Sequence, residues 1–195
     1  MSFNGSDQAL DHPDQFVRQG FSQRLNDSLN QAINRELVAS YTYLSMAQYF
    51  SRADVALHGF AKHFLVQSHE EQEHGQLLIR YINERGGNVE FFDVKKPRFM
   101  DWGSPLSAFE AVLNMETWIN EELKKSHEIA TVDSDGSASD FLEGTFLQNQ
   151  VREIKEAGDF LSKLKRVGHG VGFHLIDQEL LAKYDTSSSS SSSDD

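Results

Sequence analysis

The chain has 195 residues, of which 38% are hydrophobic and 25% charged, a size and composition that suit one soluble globular domain with a substantial core. A formal net charge of −12 disfavours nucleic acid and anionic membranes as partners and favours cations. Because there is no cysteine, disulfide bonds and thiolate metal sites are excluded, and any bound metal must take carboxylate or imidazole ligands.

Two features of the sequence bear on where the protein works. The first twenty residues lack the basic and apolar segments of a secretory signal peptide. No apolar stretch approaches the ~18 residues that a membrane-spanning helix needs. We therefore expect a cytoplasmic protein that contacts neither nucleic acid nor membrane.

Four long segments carry the pattern of amphipathic helices. Proline stands only at positions 13, 97 and 105, which leaves these segments free to be helical. In each of them hydrophobic residues recur at three- and four-residue steps, as in a helix bundle. The third segment begins at Ser104-Pro105, an N-cap followed by proline at the first helical position. The predicted helices are 22–51, 55–84, a third from Ser104-Pro105 to the loop VDSDGSAS at 132–139, and 139–167.

The lengths of the connections predict the topology. The short connection at 51–54 makes the first two helices antiparallel, and the loop at 132–139 does the same for the last two. Residues 85–103 form a much longer connection. A helix of about 28 residues spans ~42 Å, whereas this connection, fully extended, reaches ~60 Å. It can therefore cross the whole bundle, which predicts an all-α, up-down-down-up four-helix bundle with a long crossover loop.

The two ends of the chain differ from this core. GFHLIDQELLAKY, 172–184, predicts a short fifth amphipathic helix. Residues 1–15 are expected to form a flexible extension, and the Ser/Asp-rich residues 185–195 a disordered tail. The predicted domain is 16–184.

The hydrophobic residues of each predicted helix form a seam along one face, and polar residues interrupt each seam near its middle. Continued at helical spacing, the four seams all run into carboxylates, an amide or an imidazole. Because the midpoints of roughly equal helices lie at one height in a bundle, we expect these side chains to converge in the core. They are Glu36 on the first helix, Glu71 and His74 on the second, Glu116 on the third, and Gln150 and Glu153 on the fourth.

Buried carboxylates that lie together repel one another and need protons, cationic partners or a metal ion. Oxygen ligands with one imidazole favour iron, manganese or zinc, and the spacing of Glu71 and His74 presents both to one ion. The plainer interpretation is a misdrawn helix face, which is common for one glutamate but much rarer for six residues on four helices. Tyr43, also on a seam, is equally compatible with an ordinary core tyrosine.

The constellation resembles the di-iron pattern of ferritin-like bundles, in which two helices each supply a glutamate and two supply Glu-x-x-His. Here the fourth helix has Gln150-x-x-Glu153 in place of a second Glu-x-x-His. That asymmetry is similar to animal ferritin heavy chains. The segments that carry the resemblance are NRELVASYTYLSMAQYF, DVALHGFAKHFLVQSHEEQEH, ERGGNVEFFDVKKP and DFLEGTFLQNQVREIKEAGD.

The resemblance implies a cage of twenty-four subunits, alone or mixed with another ferritin subunit, that oxidises Fe(II) with O₂ and stores ferric mineral. It implies two irons per subunit as substrate. One iron would bind Glu36, Glu71 and His74. The other would bind Glu71 as a bridge and Glu116. The remaining implied participants are Glu70 as an alternative ligand, Gln150 in the outer shell and Tyr43 as a hydrogen-bond donor. Glu153 departs from the resemblance, because vertebrate heavy chains usually carry a smaller residue there, and we predict that it adds an oxygen ligand near the second site or a way station for iron.

Further roles follow from the same resemblance. His127, Asp140 and Glu143 match residues that line threefold pores, where negative charge draws in Fe²⁺. Without the resemblance, Asp140 is an ordinary charge near a helix start. Glu70 and Glu73 match a cavity-facing cluster linked to mineral nucleation.

Three other functions are compatible with a bundle of this kind. A light-chain-like ferritin subunit would build the cage and nucleate mineral without catalysis, but such chains lose the ligands at Glu36 and His74. A di-iron oxygenase or reductase with a fixed cofactor would be expected to carry the second Glu-x-x-His. A purely structural bundle would use the polar residues only for packing specificity.

Overall fold

The computed structural model describes the backbone of residues 17–189 and the side chains of residues 17–184. The predicted extension at 1–15 and the last six residues of the predicted tail lie outside the described residues. Helix α4 is continuous but has three parts, the middle one a π-helix. The helices are α1 Gln23–Ser51, α2 His58–Glu84, α3 Pro105–Val132, α4 Gly136–Phe141 with Leu142–Leu147 and Gln148–Val167, and α5 Val171–Ser189.

Side-chain caps explain where three of the helices begin. Ser22 accepts a hydrogen bond from the backbone N–H of Leu25 at 3.1 Å, and Ser104 accepts one from Ser107 at 3.2 Å. Asp135 in turn accepts one from Ala138 at 3.1 Å. This last cap starts α4 at Gly136, so the expected loop at 132–139 is shorter than predicted.

The crossover loop follows α1 along most of its length. Near the loop's start, Asn26 donates to the carbonyl of Asn88 at 3.0 Å and accepts from its N–H at 2.9 Å. Near its end, Trp102 donates to Ser45 at 3.2 Å, and Tyr49 donates to the carbonyl of residue 103 at 3.1 Å. The loop therefore runs from one end of the bundle to the other, as its length predicted. Helix α1 packs mainly on α2, and α3 on α4.

The hydrophobic core is divided into two clusters along the bundle axis. One lies towards the end of the bundle that carries α5, and includes Phe50, Phe60 and Phe109. The other lies towards the opposite end, and includes Leu29, Ile82 and Leu142. Between them, at mid-height, all four long helices contribute buried polar side chains. The prediction of seams that are apolar at both ends and polar in the middle is confirmed.

Helix α5 docks across the N-terminus of α2. Its Asp177 is buried and accepts hydrogen bonds from the backbone N–H groups of Gly59 at 2.7 Å and Phe60 at 3.0 Å. These are donors that a helix start leaves unpaired. The backbone of α5 passes so close to Gly59 that an added Cβ would lie 1.9 Å from the carbonyl oxygen of Asp177. Only glycine fits this contact.

Two further expectations need correction. The tail was predicted to be disordered from residue 185, whereas α5 continues to Ser189. Extending an existing helix is much easier than starting one, so the polar residues that follow Tyr184 remain helical. On α3, Leu113 and Asn120 of the predicted seam are only half-buried, and Val112 and Ile119 take the core positions. No helix in the described part of the chain is long and apolar enough to cross a membrane.

Candidate metal centre

One side chain from each long helix meets at the middle of the bundle. Glu36 of α1, Glu71 of α2, Glu116 of α3 and Gln150 of α4 are each no more than 3% exposed. Water therefore cannot solvate their charges, and the cost of ionising the carboxyl groups has to be met by neighbouring groups or a bound cation.

Three of the predicted ligands form a compact group. Glu36, Glu71 and His74 each offer one ligand atom, and these atoms all lie within 4.8 Å of one another. Nδ1 of His74 lies 3.0 Å from Oε2 of Glu71, because the two residues are three apart on α2. Burial lowers the pKa of His74, but the hydrogen bond to Glu71 and the nearby carboxylates raise it more, so the net shift is upward. A metal ion that takes both atoms as ligands replaces this hydrogen bond.

The other half of the centre is organised around Glu116. Tyr43 donates to its Oε1 at 2.5 Å, and Gln150 donates to its Oε2 at 3.2 Å. The same amide nitrogen of Gln150 donates to Oε2 of Glu153 at 2.6 Å. Glu116 is thereby fixed in orientation from α1 and α4, and Glu153 is tied to the centre through Gln150.

Three carboxyl groups at the centre are harder to ionise than usual. Burial, followed by the charge of Glu71, raises the pKa of Glu36 well above its ordinary value. The same two causes raise the pKa of Glu116 to about 8 and that of Glu153 to about 7. Without metal the centre therefore holds several protons near neutral pH, and a bound cation would displace them.

Two buried acceptor atoms at the centre have no hydrogen-bond partner among the described residues. They are Oε2 of Glu36 and Oε1 of Gln150. Buried polar atoms are normally paired, so unpaired oxygens that belong to an acidic cluster mark a place for a cation or a metal-bound water. This observation, with the donor set, fits iron, manganese or zinc.

The other predicted acidic residues lie outside this buried group. Glu70 and Glu73 are exposed on α2. Gln67, one turn earlier, donates a hydrogen bond to Oε2 of Glu70, a contact that sequence reasoning did not anticipate. Burial of its inner part and the charge of Glu71 raise the pKa of Glu70. Glu70 therefore stands between the centre and the surface.

The predicted pore residues form a separate site near the far end of α3. Nε2 of His127 lies 2.6 Å from Oε1 of Glu143, which joins α3 to the π-helical part of α4. Asp140 is exposed one turn before Glu143. The structure brings His127 and Glu143 together and leaves Asp140 nearby on the same surface.

The π-helix Leu142–Leu147 was not predicted, because nothing in its sequence distinguishes it from an α-helix. π-Helical turns are frequent next to functional sites. Here the turn ends three residues before Gln150 and so sets the direction in which α4 presents both Gln150 and Glu153.

The protein is a four-helix bundle with a long crossover loop, buried carboxylates from three helices, and the imidazole of His74 one turn from Glu71. These features define the class of carboxylate-rich bundles whose core can hold a metal ion. Residues 26–167 match the ferritin family model, described as a ferritin-like domain. The chain is also 45% identical over 166 residues to soma ferritin of Lymnaea stagnalis, an alignment that covers 85% of this chain and 95% of that protein. The chain belongs to the ferritin family, whose members bind and store iron in oligomeric cages.

Proposed function

We propose that the chain is a catalytic ferritin subunit. It oxidises Fe(II) with O₂ at a pair of iron sites inside its own bundle and delivers ferric product to the cavity of a cytoplasmic cage of twenty-four subunits. The observation that carries this proposal is the convergence of Glu36, Glu71 and His74 within 4.8 Å, beside a buried Glu116. A cage subunit without catalysis has no need of three buried carboxyl groups, which destabilise an empty core.

The two iron ions are assigned by position. The first takes Glu36, Glu71 and His74, which already face one another. The second takes Glu116, with Glu71 as a bridge. Iron is a substrate here, held only until it is oxidised.

The surrounding side chains adjust these two sites. Tyr43 and Gln150 hold Glu116 in place, and the unpaired Oε1 of Gln150 is available to a metal-bound water. Glu153 adds an oxygen ligand at the second site or receives iron as it leaves. Glu70 offers the alternative way out, because it reaches from the centre to the surface.

Two adjacent Fe(II) ions suit the chemistry because each supplies one electron. Two electrons and two protons convert O₂ to H₂O₂, while both ions become Fe(III). The protons come from water, because bound iron displaces the proton that Glu116, with its pKa of about 8, carries in the metal-free centre. The amide at Gln150, where a fixed di-iron cofactor would have a stronger ligand, keeps the product exchangeable.

Entry and storage use the exposed acidic residues. His127, Asp140 and Glu143 line a pore between subunits through which Fe²⁺ enters, drawn by negative charge. Glu70 and Glu73 face the cavity and nucleate mineral. The formal net charge of −12 suits a protein whose cargo is a cation.

The proposal is tested by adding Fe(II) in air and following O₂ uptake, Fe(III) absorbance and mineral content of the sized cage. Wild-type protein should oxidise iron much faster than buffer, and Glu71→Ala should abolish the fast phase while the cage stays intact. Glu110→Ala, which removes an exposed carboxylate paired with Lys165 on the outside of the same bundle, is the matched control. A wild-type rate equal to that of Glu71→Ala would indicate a non-catalytic subunit of the light-chain kind.

A further inference from the structure

A histidine that takes no part in the metal centre is buried under α5. His63 of α2 is 3% exposed, and its Nδ1 lies 2.7 Å from the hydroxyl of Tyr184. Tyr184 keeps its phenolic proton near neutral pH, because burial raises its pKa. In the tautomer of His63 that carries its proton on Nε2, the hydroxyl is the donor and Nδ1 the acceptor.

The surroundings of His63 keep its imidazole neutral. Phe109 stacks on it at 5.6 Å, and Phe160 lies at 5.2 Å, both measured between ring centroids. Burial, with a smaller contribution from Lys183, lowers the pKa of His63 to about 3. In that tautomer the lone pair on Nδ1 is aimed at the phenol of Tyr184, and the imidazole itself is almost completely shielded from water.

A continuous row of aromatic rings joins this pair to the metal centre. The centroids of Tyr184 and His63 are 6.0 Å apart, and those of His63 and Phe64 are 5.3 Å apart. Phe64 stacks on Tyr43 at 6.2 Å, and the hydroxyl of Tyr43 donates to Glu116. Each step in the row is 6.2 Å or less between ring centroids, so an electron can move along it.

We propose that Tyr184 is a one-electron donor to the iron centre and that His63 accepts its proton. The proposal rests on the function proposed above, which produces H₂O₂ at the centre. When a single Fe(II) meets H₂O₂, the iron supplies one of the two electrons needed to form two water molecules. Tyr184 supplies the other. Its O–H bond breaks, the proton forms an N–H bond at Nδ1 of His63, and the phenol becomes a neutral tyrosyl radical.

The atoms and charges balance in this step. Fe(II), the phenol, the imidazole, H₂O₂ and two solvent protons give Fe(III), the tyrosyl radical, the imidazolium and two waters. A phenol that has lost an electron is a far stronger acid than imidazolium, so the proton crosses even to a buried base. Without the second electron, the same encounter would release a hydroxyl radical. The pair thus protects the cage from a product of its own chemistry.

Tyr49 is a useful comparison for Tyr184, because its ring lies in the same row but its hydroxyl has a different hydrogen-bond acceptor. Its ring also joins the row, 5.2 Å from Phe50, which in turn lies 5.5 Å from Phe64. The hydroxyl of Tyr49, however, donates to the backbone carbonyl of residue 103, which cannot take a proton, and it lies beside the exposed carboxylate of Asp101 rather than a buried imidazole. Tyr49 and Tyr184 therefore share electronic access to the centre but differ in proton acceptor, and this makes Tyr49→Phe a matched control.

The test uses assembled protein loaded with one Fe(II) per subunit, mixed with H₂O₂ and frozen within a second for electron paramagnetic resonance. A spin trap measures released hydroxyl radical, and absorbance measures Fe(III). Wild type and Tyr49→Phe should give the same tyrosyl signal. Tyr184→Phe should lower it at least fivefold and increase trapped hydroxyl radical. His63→Gln, which keeps a hydrogen-bond acceptor but no base, should lower the signal equally.

The outcomes separate the two proposals. Fe(III) formation with no tyrosyl signal, or with a signal that Tyr184→Phe leaves unchanged, overturns the electron-donor role and leaves the ferroxidase standing. A wild-type signal that His63→Gln does not diminish overturns the role of the base. If wild-type protein does not oxidise Fe(II) in air, both proposals fail together.

Discussion

The hydroxyl of Tyr43 donates a hydrogen bond of 2.5 Å to Oε1 of Glu116, which joins α1 to α3 across the middle of the bundle. Both residues are at most 2% exposed. The contact therefore orients a carboxylate that has few other partners, at the point where the second iron is expected to bind.

The Tyr43→Phe variant removes this bond without opening a cavity. We expect it to lower the free energy of unfolding of the metal-free protein by ~1–2 kcal/mol. It should also slow the first oxidation phase about tenfold, which corresponds to ~1.4 kcal/mol in the activation barrier. Stopped-flow absorbance measures the rate. Equal rates in the variant and in wild type would show that Tyr43 is only a core residue.

The pKa of Glu116 predicts how stability depends on pH. Its ordinary value is 4.5, and burial raises it to about 8 in the folded protein. Between these values the folded state holds a proton that the unfolded chain has released. The free energy of unfolding of metal-free protein should therefore fall as pH rises through this range, by up to ~1.4 kcal/mol per pH unit for each such proton.

Glu116→Gln removes this titrating group and keeps a similar shape. The variant should show a shallower loss of stability between pH 5 and 8, measured by urea unfolding of metal-free protein. Glu110→Gln, on the exposed side of α3, should keep the wild-type dependence. If Glu116→Gln and wild type lose stability in parallel, Glu116 is ionised in the empty core.

Gln150 determines whether iron is held or passed on. Gln150→Glu adds a carboxylate beside Glu116 and Glu153, which the present amide joins by hydrogen bonds. The added charge should increase iron affinity and leave about one iron per subunit bound after gel filtration in the presence of a chelator. Gln148→Glu, which adds the same charge at an exposed position of α4, should retain none beyond wild type. Equal retention in the two variants would contradict a ligand position for residue 150.

Glu153 is expected to contact iron directly. Its carboxyl group is 2.6 Å from the amide nitrogen of Gln150 and has its pKa raised to about 7 by burial and by the charge of Glu71. Crystals soaked anaerobically in Fe(II), measured at the iron absorption edge, should show a peak within coordination distance of a Glu153 oxygen. The absence of any metal near this residue at full occupancy of the other sites would rule out its role.

The buried polar residues at the middle of the bundle could be predicted because charged residues rarely occupy core positions and therefore stand out in the hydrophobic pattern of a helix. Glu36 and Glu71 stand at positions where the hydrophobic spacing of their helices predicts core residues. Both lie near the midpoints of their helices, and the midpoints of helices of similar length lie at the same height in a bundle. The path of the crossover loop could be predicted because its extended length exceeds the length of a helix. The hydrogen bonds that Asn26 and Tyr49 make to the loop show that it spans the bundle.

Other features depend on contacts that spacing does not encode. The face of α3 is rotated so that Val112 and Ile119 enter the core beside Glu116, since neighbouring helices rather than the helix's own pattern decide the final rotation. The π-helix before Gln150 adds a residue to one turn without any distinctive residue type. The pairing of His63 with Tyr184 joins residues 121 positions apart and requires α5 to fold back on α2.

The most direct test of the central claim is the stoichiometry of rapid oxidation. Fe(II) is added to metal-free wild-type protein in steps, and O₂ uptake is recorded with an oxygen electrode at each step. A catalytic pair of iron sites should give a fast phase that saturates at two Fe(II) per subunit, with one O₂ consumed for every two iron ions, and that disappears in Glu71→Ala. Oxidation no faster than in buffer, or a fast phase that survives Glu71→Ala, would contradict it.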